Sequence, residues 1–151
     1  MDFLPISIRI RDRKILLIGG GKVASHKATI LSRFTEQATV LAPEIADQIR
    51  KLPFRVIQKA YEPADLEGFQ LVYICTDDTV LNSQIKKEAE KRGILASVCD
   101  APKECDFISP AIFSSGNITI AVSSDSKQVK RSMAIRDAIK ELVENGILQI
   151  D

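Results

Sequence analysis

Five short apolar runs alternate with longer segments in which apolar side chains recur every three or four positions. The runs lie at residues 14–18, 38–41, 55–57, 71–75 and 95–99, and their length and apolar content predict buried strands. The segments between them predict helices over residues 23–34, from Pro43 to Arg50, and from Asp78 as N-cap to near Gly93. Strands that alternate with helices form parallel sheets covered on both faces, so the pattern predicts an α/β fold with a Rossmann-like parallel sheet.

The alternation ends after Asp100, where the chain changes character. Pro102 and Pro110 interrupt it, and residues 115–117 predict a turn. A strand over residues 118–122 and a helix over residues 127–145 follow. Because a strand and a helix alone have little core, we expect their apolar face to pack on the main domain or on a second copy, and we favour the second copy. The predicted division is a Rossmann-like domain over residues 1–112 and a small C-terminal strand–helix dimerisation segment over residues 113–151.

Composition narrows the classes of function. Twenty-one Lys and Arg side chains against 20 Asp and Glu give a net charge of +1, so no global field indicates a nucleic-acid or membrane partner. The apolar runs are far shorter than the roughly 20 residues that cross a bilayer. Three cysteines lack the paired spacing of a zinc site and nothing at the start resembles a signal peptide, which favours a reduced, cytoplasmic protein. Cys75 and Cys99 are interpreted as small core residues.

A glycine-rich loop directly after the first strand carries the clearest chemical signal. Gly19, Gly21 and Ala24 fill the places of the G-x-G-x-x-G/A dinucleotide fingerprint. The first makes the tight turn, the second lets the backbone approach the pyrophosphate, and the third stays small so that the helix packs near the strand. A glycine turn without a ligand is the alternative. The predicted cofactor contacts here are Gly19, Gly20, Gly21, Lys22, Val23 and Ala24.

The ribose and the second half of the site are less clearly marked. The acidic residue expected at the end of the second strand is missing, and Pro43 and Glu44 stand nearby. Glu44 either reaches a ribose hydroxyl or faces solvent at a helix start, so the spacing leaves NAD and NADP open. Thr76, Asp77 and Asp78 follow the fourth strand at the edge where such folds bind ligands, although Asp78 is equally suited to a purely capping role.

Several further motifs join the glycine loop in one order along the chain. They are Phe3-Leu4-Pro5-Ile6, Thr76-Asp77-Asp78 with Val80 and Asn82, Val98-Cys99-Asp100-Ala101-Pro102, residues 106–111 and residues 116–124. In combination they resemble the precorrin-2 dehydrogenase family, the N-terminal dehydrogenase domain of sirohaem synthases. The resemblance runs from the first residues almost to the last.

The resemblance implies NAD-dependent oxidation of precorrin-2 to sirohydrochlorin in sirohaem or corrinoid biosynthesis, without a metal in that step. By position, Lys22 and Val23 match family residues at the pyrophosphate loop, and Pro43 and Glu44 match those near the adenosine ribose. Asp100 matches the acidic residue that the family is thought to need for catalysis. Ser124 matches a serine at the entrance to the substrate region, and Lys127 lies just beyond it, so either could contact a substrate carboxylate.

The residues themselves give partial support to these assignments. Asp100 follows the fifth strand at the ligand edge, where a carboxylate could accept the proton lost with hydride removal; a loop Asp in a turn before Pro102 is the alternative. From Ser126 to Lys140 the chain carries five cationic side chains and one acid, a local charge of 5 − 1 = +4, which suits a polycarboxylate but also an ordinary solvated helix face.

The sequence also departs from the family pattern. Asp125 and Ser126 stand where the family usually has glycines, and Ser97 replaces a common Asn. His26, the only histidine, is expected to be packed or solvated rather than a metal ligand. Two alternatives therefore stay open. One is a bifunctional dehydrogenase and sirohydrochlorin ferrochelatase, and the other is a non-catalytic NAD- or tetrapyrrole-binding module.

Overall fold

A computed structural model describes residues 1–150. The chain divides into two compact units. The large unit is Ile8–Phe107, and the small unit combines Met1–Ser7 with the chain from Ile108 onward. The division predicted from the sequence lies five residues later and assigns the first seven residues to the large domain.

The large unit is built on a five-stranded parallel sheet. The strands are β1 (Ile15–Ile18), β2 (Ala38–Ala42), β3 (Arg55–Gln58), β4 (Leu71–Ile74) and β5 (Leu95–Val98). Their order in the sheet is β3-β2-β1-β4-β5. This order is that of a Rossmann-like fold, in which the chain leaves β1 first in one direction and then in the other. The predicted α/β class is confirmed.

Helices cover both faces of this sheet. Alternate residues of a strand point to opposite faces, and the four buried residues of β1 accordingly supply both apolar clusters. One cluster packs under α1 (Lys22–Leu31) and α2 (Asp47–Arg50). The other packs under α3 (Thr79–Lys91) and a 3-10 turn at Pro63–Leu66. The central strands are buried on both faces of the sheet, and the sequence of each is therefore a continuous apolar run.

Polar contacts hold α3 at its N-terminus and in its second half. Asp78 caps the helix, as predicted, because its Oδ1 accepts hydrogen bonds from the backbone N–H groups of Val80 at 2.9 Å and Leu81 at 3.0 Å. Further along, Lys86 is 5% exposed and its Nζ lies 2.8 Å from Asp106. Asp106 also accepts the backbone N–H of Ala96 at 2.9 Å. This ion pair holds the segment after β5 against the helix.

The small unit contains a hairpin and a helix in addition to residues Met1–Ser7. Strands β6 (Ala111–Ser115) and β7 (Ile118–Val122) pair antiparallel, and α4 (Val129–Glu144) packs on them. The sequence predicted β7 and α4 but not β6, which lies between Pro110 and the turn at Gly116. The hairpin therefore supplies a second strand that the predicted strand–helix segment lacked.

Candidate dinucleotide site

A cavity of about 760 Å³ lies at the carboxyl edge of the parallel sheet, where the ends of β1, β2 and β4 meet. This volume suits a small-molecule cofactor, since such sites measure roughly 300–1,000 Å³. A second groove of about 530 Å³ runs over the surface of α3 alone and includes no strand end. Eight predicted cofactor residues line the larger cavity: Gly19, Gly20, Gly21, Pro43, Glu44, Thr76, Asp77 and Asp78.

The three glycines of the loop are required for different reasons. Gly19 has a φ of +126°, and a Cβ there would lie 2.3 Å from the carbonyl oxygen of Cys75. A Cβ on Gly20 would lie 1.8 Å from the carbonyl oxygen of Glu44. Gly21 has an ordinary φ of −86°, and a Cβ there would meet nothing within 4 Å. The protein's own packing therefore demands glycine at the first two positions, whereas at Gly21 the open space is what a close-approaching pyrophosphate needs.

The first turn of α1 suits an anion. The N-cap is Gly21, no side chain caps the helix, and no acid lies in its first turn. Its leading N–H groups and the positive end of the helix dipole are therefore suited to a phosphate. Lys22 and Val23 are exposed at this turn, while Ala24 is fully buried in the cluster beneath it. Ala24 thus acts through helix packing, and it does not line the cavity.

The wall beyond β2 is largely apolar. Leu41, Ala42 and Pro43 line it, and the backbone N–H of Ala46 donates to the carbonyl of Gly20 at 3.0 Å, which joins this loop to the glycine loop. Glu44 is exposed at the rim. No Lys or Arg is among the described residues that line the cavity. A carboxylate at this place can accept a hydrogen bond from a ribose hydroxyl.

Tyr61 completes this wall and was not predicted from the sequence. It follows β3, and its hydroxyl donates to Glu88 of α3 at 2.5 Å. Burial, together with this hydrogen bond to a carboxylate, raises the pKa of Tyr61. The strand order could have identified the residue, because the end of β3 meets the same edge as the ends of β1 and β2.

At the end of β4 a buried amide connects Thr76 with Asp100. The hydroxyl of Thr76 donates to Oδ1 of Asn82 at 2.5 Å, and Nδ2 of Asn82 donates to the carbonyl of Thr76 at 3.0 Å. The same Nδ2 lies 3.4 Å from Oδ1 of Asp100. Asn82 is 2% exposed. Asp100 is exposed just after β5 and is not among the residues that line the cavity, so it is tied to the cavity wall through Asn82.

The residues predicted for substrate contact belong to the small unit. Ser124 Oγ accepts the backbone N–H of Gln128 at 3.1 Å. Nζ of Lys127 lies 2.7 Å from Asp125, whose carboxylate also accepts the backbone N–H groups of Asp2 at 2.8 Å and Phe3 at 3.0 Å. The ion pair offsets the charge of Asp125. Lys127 takes part in this ion pair, although 65% of its side-chain surface is exposed.

The cysteines differ from the sequence-based expectation. Cys75 and Cys99 follow β4 and β5, which pair in register, and their Cα atoms are 5.2 Å apart. Their Sγ atoms are joined in a disulfide, so the prediction of three reduced thiols is wrong for these two. Cys105 is free. The strand order brings the pair together, and spacing along the chain gave no sign of it.

Membrane spans and metal clusters are both absent from residues 1–150. No helix in that range is long and apolar enough to cross a membrane. The same residues contain no grouping of three or more His, Cys, Asp or Glu side chains that could hold a metal ion.

Similar proteins include sirohaem synthases of several bacteria. The chain is 36% identical over 97% of its length to siroheme synthase of Photorhabdus laumondii and covers 32% of that protein. It is 40% identical over 82% of its length to siroheme synthase of Ectopseudomonas mendocina and covers 27% of that protein. The chain thus spans about a third of the length of these relatives, and the resemblance inferred from the motifs is confirmed.

Solved structures and family models agree with this fold. The structure of "SirC, precorrin-2 dehydrogenase" superposes with a TM-score of 0.77 at 20% identity, covering 92% of this chain and 70% of that one. Residues 6–111 match the model of the NAD_binding_7 family, described as "Putative NAD(P)-binding". This match spans the parallel sheet and the glycine loop that forms the cavity. The chain therefore belongs to the NAD_binding_7 family.

Proposed function

We propose that this chain is an NAD-dependent dehydrogenase that oxidises precorrin-2 to sirohydrochlorin in sirohaem or corrinoid biosynthesis. The observation that carries the proposal is the cavity at the sheet edge, in which Gly21 leaves room that the protein itself does not use. Relatives at 36–40% identity are named siroheme synthases, and the similar solved structure is named a precorrin-2 dehydrogenase. The cavity supplies the dinucleotide site that an oxidation of this kind needs.

Different cofactor-binding residues contact different parts of the dinucleotide. The N–H groups at the start of α1, above Gly21, hold the pyrophosphate. Pro43 and Glu44 hold the adenosine ribose, and the absence of a cation among the described lining residues favours NAD over NADP. Thr76, Asp77 and Asp78 border the other half of the cavity. When bound, the nicotinamide accepts the hydride from the macrocycle.

Asp100 is the proposed general base. Loss of a hydride from one carbon of precorrin-2 is accompanied by loss of a proton from the macrocycle, and an exposed carboxylate at the sheet edge can take it. Ser124 and Lys127 are proposed to contact substrate carboxylates. The excess of cationic side chains between Ser126 and Lys140 supports an anionic ligand on the small unit.

Assembly and location complete the proposal. We propose a homodimer formed through the small unit, because α4 and the hairpin leave large apolar side chains exposed, among them Ile118, Met133 and Leu142. A cytoplasmic location is proposed for the enzyme, where its soluble tetrapyrrole substrate and NAD would meet.

The test is anaerobic turnover of enzymatically generated precorrin-2 with NAD, followed through NADH and sirohydrochlorin absorbance. We expect turnover in the wild type and a loss of about 100-fold or more in a folded Asp100→Ala variant, the range typical of general-base removal. Turnover retained in Asp100→Ala would exclude Asp100 as the base. Binding of NAD or porphyrinoid without turnover in the wild type would favour a binding module, and iron insertion without NAD would indicate a chelatase.

A further inference from the structure

One buried side chain lies between the cavity wall and the exposed carboxylate of Asp100. Asn82 sits in the first turn of α3 at 2% exposure. A buried primary amide is costly unless its donors and acceptor are used. Here the acceptor oxygen takes the Thr76 hydroxyl at 2.5 Å, and the NH₂ group serves the Thr76 carbonyl at 3.0 Å and Asp100 at 3.4 Å.

We propose that Asn82 is a positioning residue for the oxidation, which orients Asp100 from the wall of the dinucleotide cavity. This inference rests on the proposed function, in which Asp100 is the base. Asn82 is not itself among the described residues that line the cavity, and it reaches the cavity wall through its two hydrogen bonds to Thr76. It acts by holding Thr76 at the end of β4 and Asp100 at the end of β5 in one hydrogen-bonded unit.

The chemistry of the amide explains why another residue would not substitute. The Thr76 hydroxyl needs an acceptor, while an ionised Asp100 needs a donor, and one Asn side chain offers both. An Asp at position 82 keeps the shape and the acceptor but replaces the donor with a second carboxylate. An Ala removes both contacts and leaves Asp100 to be oriented by solvent.

The experiment compares wild type, Asn82→Asp, Asn82→Ala and a Ser83→Ala control with precorrin-2 and NAD. Ser83 is the next residue of α3. Its Oγ lies 3.5 Å from Oε2 of Glu104, so its side-chain contact is with Glu104 and not with Asp100. We expect both Asn82 variants to lower kcat by on the order of 10- to 100-fold, as small misplacements of reacting groups do. In Asn82→Asp, which keeps the acceptor for the Thr76 hydroxyl, the KM for NAD should stay near the wild-type value. Ser83→Ala should match the wild type in both constants.

A pH profile separates positioning from a merely structural effect. In Asn82→Asp two neighbouring carboxyl groups would share one proton, so the acid limb of the kcat profile moves to higher pH. The Asn82→Ala variant adds no carboxyl group, and its acid limb should stay where it is in the wild type. Near-wild-type kcat in both variants, or equal loss of kcat and NAD affinity in the near-isosteric Asn82→Asp, would overturn the proposal.

A ligand-free measurement keeps this inference distinct from the proposed function. The side-chain NH₂ resonances of Asn82, assigned by their loss in Asn82→Asp, are followed by NMR in wild type and Asp100→Ala. A change of these resonances in Asp100→Ala supports the contact at 3.4 Å whether or not the wild type turns over precorrin-2. Unchanged resonances overturn it, while absence of turnover in the wild type overturns the proposed function.

Discussion

Residues 8–107 and the small unit bury their apolar side chains to very different extents. Every buried hydrophobic side chain described in residues 1–150 lies between Ile15 and Val98, in two clusters on the faces of the parallel sheet. In the small unit, the described buried residues are Asp125 and Ser132, both polar. Large apolar side chains of α4, such as Met133 and Leu142, are exposed. The large unit therefore has the core of an independent domain, while the small unit exposes the apolar surface through which the dimer is proposed to form.

The sharpest test of this contrast makes the same substitution, Leu to Ala, once in each unit. Leu17 is fully buried in β1 and Leu142 is 41% exposed on α4. We expect Leu17→Ala to lower the free energy of unfolding by about 2–5 kcal/mol, through lost burial and the cavity left behind. At a protein concentration low enough to keep the chain monomeric, where no dimer contact adds to stability, Leu142→Ala should change it by less than about 1 kcal/mol. Urea unfolding followed by circular dichroism measures both, and similar losses at the two sites would contradict the contrast.

The same contrast explains part of what the sequence could predict of the fold. All five strands of the sheet were predicted to within one residue. Four of them are mostly buried and read as apolar runs, whereas β3 is half-exposed. Strand β6 was missed although β7, which is no more buried, was predicted. Burial therefore accounts for the strands at the centre of the sheet and not for the difference between the two strands of the hairpin.

The candidate site was predictable where contacts are local in sequence and not where they depend on strand order. The glycine loop and the Asp78 cap each lie within a few residues of the elements they join. The link from Asn82 to Asp100 spans 18 positions and arises only because β4 and β5 are neighbours. Tyr61 and the Cys75–Cys99 disulfide also required the order β3-β2-β1-β4-β5.

Within the large unit, two glycine substitutions separate folding from cofactor binding. Gly21→Ala meets nothing within 4 Å, so the fold should be kept, while the methyl group blocks close approach of the pyrophosphate. We expect NAD affinity to fall at least about tenfold, or roughly 1.4 kcal/mol. Gly19→Ala forces a clash with the Cys75 carbonyl and should destabilise the fold itself. Isothermal titration calorimetry measures the NAD affinity, and thermal unfolding measures the stability of each variant. Unchanged NAD affinity in Gly21→Ala would contradict the assignment of the pyrophosphate to this loop.

A charge placed on α4 tests whether a second copy covers the small unit. Ile135 is 43% exposed on this helix, and Val80 is 78% exposed on α3 of the large unit. Ile135→Glu should weaken self-association by about tenfold or more, because an unpaired carboxylate would be buried in the interface. Val80→Glu is the matched control and should have no effect. Analytical ultracentrifugation over a range of concentrations measures both, and a wild type that is monomeric throughout would exclude the dimer.

The smallest expected effect concerns the polar contact that ties the chain's start to the small unit. The hydrogen bond from Lys127, with those from the backbone N–H groups of Asp2 and Phe3, lowers the pKa of Asp125 from 3.8 to about 2. A depressed carboxyl pKa contributes stability that is fully present above the unfolded value near 3.8, and this stability is lost as the pH falls through about 2.

Asp125→Asn should therefore speed hydrogen exchange of the Asp2 and Phe3 amides at pH 6, and the difference from wild type should shrink between pH 4 and pH 2. Lys127→Met keeps the carboxylate that accepts these amides and should give a weaker effect of the same sign. Exchange rates that match the wild type at pH 6 in Asp125→Asn would mean that this carboxylate does not hold the N-terminal residues, and the charge at a position where the family pattern has glycine would then need another partner.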